Sequence, residues 1–416
     1  MQSRDPGKQK ITQSQNHPIA QSLDHSISRR SPATLGFRHP AEWEPHEATW
    51  IGWPANRMDW PGKFAPIPWV FGEIVRKIAP REIVRILVNS KPHEASARRV
   101  LTRCGADLSR VEFFRIPTDR GWTRDAGPIF VRRGGPVAPP SNLKSEISDS
   151  TGRLGERSVH PPLLTGRQGR SDSEVGIVRF RFNAWAKYPD WQKDARVPER
   201  AARALGMKMF CAVARRRDFV LEGGSIDVNG RGTLLTTEEC LLDPLTQPRN
   251  PGLTRQEIEA ALREFLGVSN ILWLGRGIAG DDTHGHVDDL CRFVKPGTVV
   301  LCQESNAGDP NYAPLAEDRE RLESMRLEDG SKIEVVPLPM PSPLVFDGQR
   351  LPASYANFYI ANAAVLVPTF NDPNDRIALG TLSELFRDRP VVGIHAVDLV
   401  WGLGTLHCLT HEQPAV

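Results

Sequence analysis

The sequence predicts an α/β fold on three observations: short runs of β-branched and aromatic residues, helical apolar patterns between several of those runs, and one helix marked at both ends. In chain order the strand-like runs are Val111–Ile116, Ile177–Phe182, Ile271–Leu274, Thr298–Cys302, Ile333–Leu338, Ala364–Val367 and Val391–Ile394. Each is short and apolar, with the composition that suits a pleated, half-buried surface. The first predicted helix, Val197–Leu205, separates the second run from the third. The next, Thr254–Leu266, has a full signature. Thr254 and Glu257 form a capping box, Ile258, Ala261, Leu262, Phe265 and Leu266 share one face, and Gly267 ends it. Leu315–Met325 and Leu379–Phe386 follow a similar pattern. No exact repeat is visible, but strand-rich units recurring every few tens of residues permit a repeated architecture.

Composition sets the class. Of 416 residues, 39% are hydrophobic and 25% charged, ample for a folded core. At ~150 residues per domain the length alone suggests two or three domains. The net charge of +3 is too small to point to a nucleic-acid or membrane partner. No apolar run approaches the ~18 residues of a membrane span, and the best, Ala363–Val367, stops at Pro368. The first thirty residues are polar and lack an apolar signal core, so a cytoplasmic protein is expected. The six cysteines, Cys104, Cys211, Cys240, Cys291, Cys302 and Cys408, form no C-x-x-C pair and read as reduced thiols. Residues 1–33 have the composition of a disordered tail, and residues 134–173, rich in Gly, Pro, Ser and Arg, that of an inserted surface loop.

Four polar clusters interrupt the strands. They are Gly121-Trp122-Thr123-Arg124-Asp125-Ala126-Gly127-Pro128, Glu222-Gly223-Gly224-Ser225, Gly280-Asp281-Asp282-Thr283-His284-Gly285-His286-Val287-Asp288-Asp289, and Gly402-Leu403-Gly404-Thr405-Leu406-His407-Cys408. The third admits three readings. His284, His286 and Asp288 match an H-x-H-x-D metal stem, but few histidines follow to complete a metallohydrolase. An acidic turn with surface histidines is the structural alternative. Taken together, the clusters suit guanidine chemistry. Carboxylates accept the planar fork of a guanidinium, and a thiolate beside an imidazole supplies the strong nucleophile that this poor electrophile needs. In an extended stretch His286 and Asp288 share one side, and Cys408 is the candidate thiol. Asp125 is equally a turn cap or a salt-bridge partner of Arg124. Trp122 and the N-terminal tryptophans (Trp43, Trp50, Trp53, Trp60, Trp69) are either core aromatics or a cover over a cation.

Seven blocks in order identify a family. They are PAEWEPHEATWIGWP (40–54), GWTRDAGPIFV (121–131), FNAWAKYPDW (182–191), EGGSIDVNGRGTLLTTEECLL (222–242), GDDTHGHVDDLCRF (280–293), SYANFYIAN (354–362) and GLGTLHCLT (402–410). The chain resembles the agmatine deiminase family, related to bacterial peptidyl-arginine deiminases in the guanidino-group-modifying superfamily. That resemblance implies a five-bladed α/β propeller of the pentein type with pseudo-fivefold symmetry. The chain is then one domain over residues 34–416, interrupted at 134–173, rather than two or three. It also implies a hydrolase acting on the C–N bonds of linear amidines, with no metal or organic cofactor. Agmatine is the implied substrate, N-carbamoylputrescine and ammonia the products, as a step towards putrescine. Arginine and peptidyl-arginine are the alternative substrates. Cys408 matches the nucleophile, His286 the general acid/base, and Asp125 and Asp288 the carboxylates that clamp the guanidinium. Glu222 and Asp282 align with further acidic positions of the pocket, and Trp122 is a further candidate substrate-binding residue. A homodimer is the assembly the resemblance suggests. This chain departs from the common nucleophile segment Gly-Gly-Gly-Asn-Ile-His-Cys at Leu403 and Thr405, and it has Asp289 where asparagine is usual. Those exchanges leave two further expectations open, an altered substrate tail and a guanidinium-binding protein without turnover.

Overall fold

The computed structural model describes residues 30–134 and 173–416. The expected tail and insertion lie, apart from their edges, outside the described residues. The rest is mixed α/β, and among the described residues five sheets of three or four strands repeat one local plan. A strand pairs antiparallel with the next, and the chain then returns through a helix to a third strand parallel to the second. In one sheet Asp227–Val228 pairs antiparallel with Thr233–Thr237, which pairs parallel with Asn270–Leu274 across the helix Arg255–Leu266. Cys291–Lys295, Thr298–Gln303 and Glu334–Pro339 do the same around Tyr312–Ser324. Tyr359–Ile360, Val365–Thr369 and Val391–His395 do so around Asn374–Leu385. In the fourth, Ile129–Arg133 pairs antiparallel with Glu174–Arg179, and Lys208–Cys211 follows Val197–Leu205. The fifth joins the two ends of the chain: Thr410–Pro414 lies antiparallel to His46–Gly52, which runs parallel to Ile83–Leu87 and so to Val111–Phe114. Parallel neighbours need such helical crossovers, and the helices cover the apolar faces.

The predicted elements are present with shifted ends. Val197–Leu205 is as expected. Thr254 caps Arg255–Leu266, its box with Glu257 complete and Gly267 in the left-handed conformation. The last two predicted helices begin earlier, at Tyr312 and Asn374. The predicted strand Ile177–Phe182 starts three residues sooner, at Glu174. The helices Ile67–Ile78 and Lys91–Arg103 and the strand His46–Gly52 lie where no element was singled out. Of the N-terminal tryptophans, Trp50, Trp53 and Trp60 belong to the core and Trp69 is exposed. All six cysteines are free. No helix among the described residues is long and apolar enough to cross a membrane.

Candidate active site

The repeated plan brings the polar clusters together. Just before the first strand of each sheet lies a short segment, and these segments supply the site. Thr123–Ala126 carries Asp125 and precedes Ile129–Arg133. Glu222 caps the turn Gly223–Ser225 ahead of Asp227–Val228. His286 caps the turn Val287–Asp289 ahead of Cys291–Lys295. Asn357 stands two residues before Tyr359–Ile360. Cys408 lies in the helical turn Leu406–Leu409, which leads into Thr410–Pro414. These segments pack on one another, so residues hundreds of positions apart share one buried centre.

His286 is surrounded by carboxylates. Its Nδ1 is 3.8 Å from Asp125 Oδ1 and 3.9 Å from Asp288 Oδ1, and its Nε2 is 3.8 Å from Glu222 Oε2. Neither nitrogen has a hydrogen-bond partner, nor has Asp288 Oδ1. His286 and Asp288 are therefore neighbours as expected, but across a 3₁₀ turn rather than along an extended strand. Asp125 accepts the Trp185 indole N–H at 2.8 Å and the Gly224 backbone N–H at 3.0 Å. The Cys408 thiol sits 3.9 Å from Asp288 Oδ2, and Asn357 Nδ2 donates to its sulfur at 3.1 Å. His407 Nδ1 lies 2.6 Å from an Asp288 carboxylate oxygen and its Nε2 2.7 Å from Glu42, so the ring bridges the two acids.

Burial and like charge set the protonation states. Burial pushes the Asp125 carboxyl up to about 6, with Asp288 and Glu222 adding to the push and His286 opposing it. Burial, then Asp288, Asp289 and Asp125, hold the Cys408 thiol well above its ordinary value against the Asn357 hydrogen bond. Burial by itself would lower His286, but Asp125, Cys240 and Glu222 hold it well above the usual imidazole range. Burial also opposes the ionised forms of Asp288 and Glu222. His407 nevertheless keeps Asp288 low, and Arg249, 3.1 Å away, brings Glu222 down to about 2. Asp289 goes the other way, pushed well up by burial, Asp288 and Asp281. Its side chain accepts the Asn357 amide N–H at 2.9 Å.

The thiol opens onto a cavity of about 270 Å³ lined by Trp122, Asp125, Trp185, Asp282 and Leu403 among others. Asp282 stands on its wall, bound by Lys187 at 2.5 Å and the Tyr188 hydroxyl at 2.6 Å, apart from the cluster around His286. The two histidines of the H-x-H-x-D stem diverge. His284 bonds Asp243 at 2.9 Å, so the stem is not a chelating unit. Two other sets, Glu222, Cys240 and His286, and Asp288, Asp289 and Cys408, have donor atoms close enough to share a metal ion. Arg124 does not pair with Asp125. Adjacent helical residues point apart, and Arg124 reaches Glu42 at 3.1 Å and Glu412 at 2.8 Å. Sequence reasoning missed Asn357, Trp185 and the bridging role of His407. The first two lie inside the blocks SYANFYIAN and FNAWAKYPDW. Trp185 adopts φ 56°, and Ala184 and Ala186 on either side are also left-handed, a strained turn that aims the indole at Asp125.

A profile of the Porphyromonas-type peptidyl-arginine deiminase family matches residues 38–414. The chain belongs to that family. Among its relatives, an agmatine deiminase of Stutzerimonas stutzeri is 35% identical over 92% of this chain and 97% of the relative. A solved agmatine deiminase of Enterococcus faecalis superposes with a TM-score of 0.77 at 30% identity, covering 93% of this chain and 98% of the other. An agmatine deiminase of C. jejuni with substrate bound has a TM-score of 0.71 at 27% identity, covering 91% and 96%. As members of one family these chains share a mixed α/β fold, and this chain places its cysteine, histidine and carboxylates in the geometry described above.

Gly224 packs directly against that cluster. A Cβ there would lie 2.5 Å from His286 Nδ1, 2.9 Å from Asp125 Oδ1 and 3.0 Å from Asp288 Oδ2. Gly224→Ala is expected to lower the unfolding free energy by about 1–3 kcal/mol in a denaturant titration. An unchanged midpoint would mean that the cluster has room to spare.

Proposed function

We propose that the chain is an agmatine deiminase. It is read as a cysteine hydrolase that converts agmatine and water into N-carbamoylputrescine and ammonia. The observation that carries this reading is the buried Asp288 Oδ1, without a hydrogen-bond partner, beside Asp125, His286 and Cys408 at the end of a small cavity. Carboxylates so placed can accept the N–H groups of a guanidinium, and a relative at 35% identity over nearly the whole chain is an agmatine deiminase.

In this reading Asp125 and Asp288 accept the guanidinium N–H groups, and the substrate's charge reverses the electrostatics at Cys408. The substrate cation offsets the carboxylates that oppose ionisation of the thiol, so the thiolate forms as substrate binds. Its sulfur attacks the central carbon. His286, cationic among its carboxylates, gives a proton to the departing ammonia and leaves an amidino-cysteine that still carries the aminobutyl tail. The imidazole then takes a proton from water, whose oxygen bonds the same carbon. The C–S bond breaks as the O–H electron pair forms the C=O bond, that proton passes by way of solvent to the released ammonia, and the carbamoyl product and thiolate separate. Glu222, tied to Arg249, keeps the negative field on His286, while Trp122 and Asp282 face the tail from the cavity wall. No step calls on a metal or organic cofactor. The five sheets are read as the blades of one propeller domain over residues 34–416, with the five polar segments at its centre. The enzyme is taken to be cytoplasmic and, by family resemblance, a homodimer.

Purified protein is expected to release ammonia from agmatine, and Cys408→Ala to abolish the release. Full activity in that variant would overturn the assignment, and calorimetric binding without turnover in the wild type would make the chain a guanidinium-binding protein instead. The pH dependence has a worked sign. Asp125 must be ionised to accept guanidinium N–H groups, and its carboxyl titrates at about 6. On this basis kcat/KM rises as pH increases through about 6 and falls again on the alkaline side as His286 loses its proton. A profile flat across pH 5 to 7 would contradict the role of Asp125.

A further inference from the structure

We propose that Leu403 selects the substrate tail, favouring an unbranched guanidinoalkylamine over a guanidino amino acid; this rests on the deiminase reading of the site. Leu403 links the turn Leu399–Gly402 to the cysteine-bearing turn Leu406–Leu409. Its neighbours are glycines for reasons of space. A Cβ on Gly402 would lie 2.5 Å from the Trp60 indole nitrogen. One on Gly404 would lie 2.9 Å from the Trp122 ring and 3.1 Å from Cys408 Sγ. Leu403 is the reverse case. Its backbone is left-handed, φ 66° and ψ 28°, and its N–H is donated to Val400 O at 2.9 Å. That conformation favours glycine, and a bulky residue in it is an outlier. The chain therefore has glycine where a side chain would collide and leucine where the backbone favours glycine. Strain of this kind persists where the side chain has a use.

The use lies in the cavity. Leu403 is half-buried against the core and lines the same space as Cys408, Trp122 and Trp185. The acids on that wall outnumber its one cation among the lining residues, Arg120, which Asp59 at 2.8 Å and Asp190 at 3.0 Å already hold. Asp282 is bound by Lys187 and Tyr188, while Asp59 Oδ2 has no hydrogen-bond partner. A tail leaving the guanidine end thus meets aromatic rings, Leu403 and acids, with no unpaired cation on that wall to receive a carboxylate. Four methylenes suit such a wall. The α-carboxylate of arginine adds a branch and a charge that must be desolvated without a partner. Leucine in place of a hydrogen narrows the space for that branch.

The test compares kcat/KM for agmatine and for free arginine in the wild type, Leu403→Ala and Leu403→Gly, with thermal melts to show that each variant folds. The agmatine-to-arginine ratio is expected to fall roughly tenfold or more in Leu403→Gly, and by less in Leu403→Ala. Leu403→Gly has no backbone penalty, so folding does not obscure the comparison. Both substrates falling in step, with the ratio unchanged, would overturn the role of Leu403 while leaving the deiminase reading intact. Absence of ammonia from either substrate in the wild type would overturn both.

Discussion

The centre of the molecule hangs on His407, whose two ring nitrogens bridge Asp288 and Glu42. Glu42 in turn takes Arg124 and Arg292 at 3.1 and 3.0 Å, and Arg124 reaches on to Glu412. This buried column links the N-terminal segment, the Asp125 turn, the strand after Asp289 and the last strand. Burial opposes the charge on Glu42, yet Arg292, His407 and Arg124 hold its carboxyl well below the usual range. Isolated buried charges are costly, whereas here each has a partner of opposite sign. A network of this kind fixes where Asp288 sits and keeps it ionised, and the position of Cys408 follows because it is the next residue after His407.

On the other side of Asp288 the balance is different. Asp125, Asp288 and Glu222 surround one imidazole, and burial, with the neighbouring acids adding to it, raises Asp125, Asp289 and the Cys408 thiol together. The carboxylates beside Cys408 oppose its thiolate. In the proposed reaction a guanidinium placed among them would oppose that field and favour the thiolate. Asp289 is pushed well up by burial and by Asp288 and Asp281, and it accepts the Asn357 amide N–H.

Much of this was legible in the sequence. The helix from Thr254 was marked at both ends by local chemistry, so its limits needed no tertiary information. Asp125, His286, Asp288 and Cys408 stood in short clusters next to strand runs, and the fold brings all four together. Glu222 joins them, whereas Asp282 belongs to the cavity wall because Lys187 and Tyr188 hold it there. What escaped were contacts made across the chain. The salt-bridge partners of Arg124 lie 82 and 288 positions away, and nothing local distinguishes them from a neighbour such as Asp125. Asn357 was hidden in an apolar block. Its signal is positional: it occupies, in its sheet, the place that Asp125, Glu222, His286 and Cys408 occupy in theirs. The repeat that would have exposed it lies in the pairing of strands, not in residue identity.

The central claim, that Cys408 carries the guanidino carbon during turnover, is tested most directly by acid-quenching the protein with agmatine and weighing it intact. The account predicts an increment equal to agmatine less ammonia, located on the peptide that contains Cys408 and absent from Cys408→Ser. Sustained ammonia release with no adduct at any quench time, together with activity retained in Cys408→Ser, would contradict it.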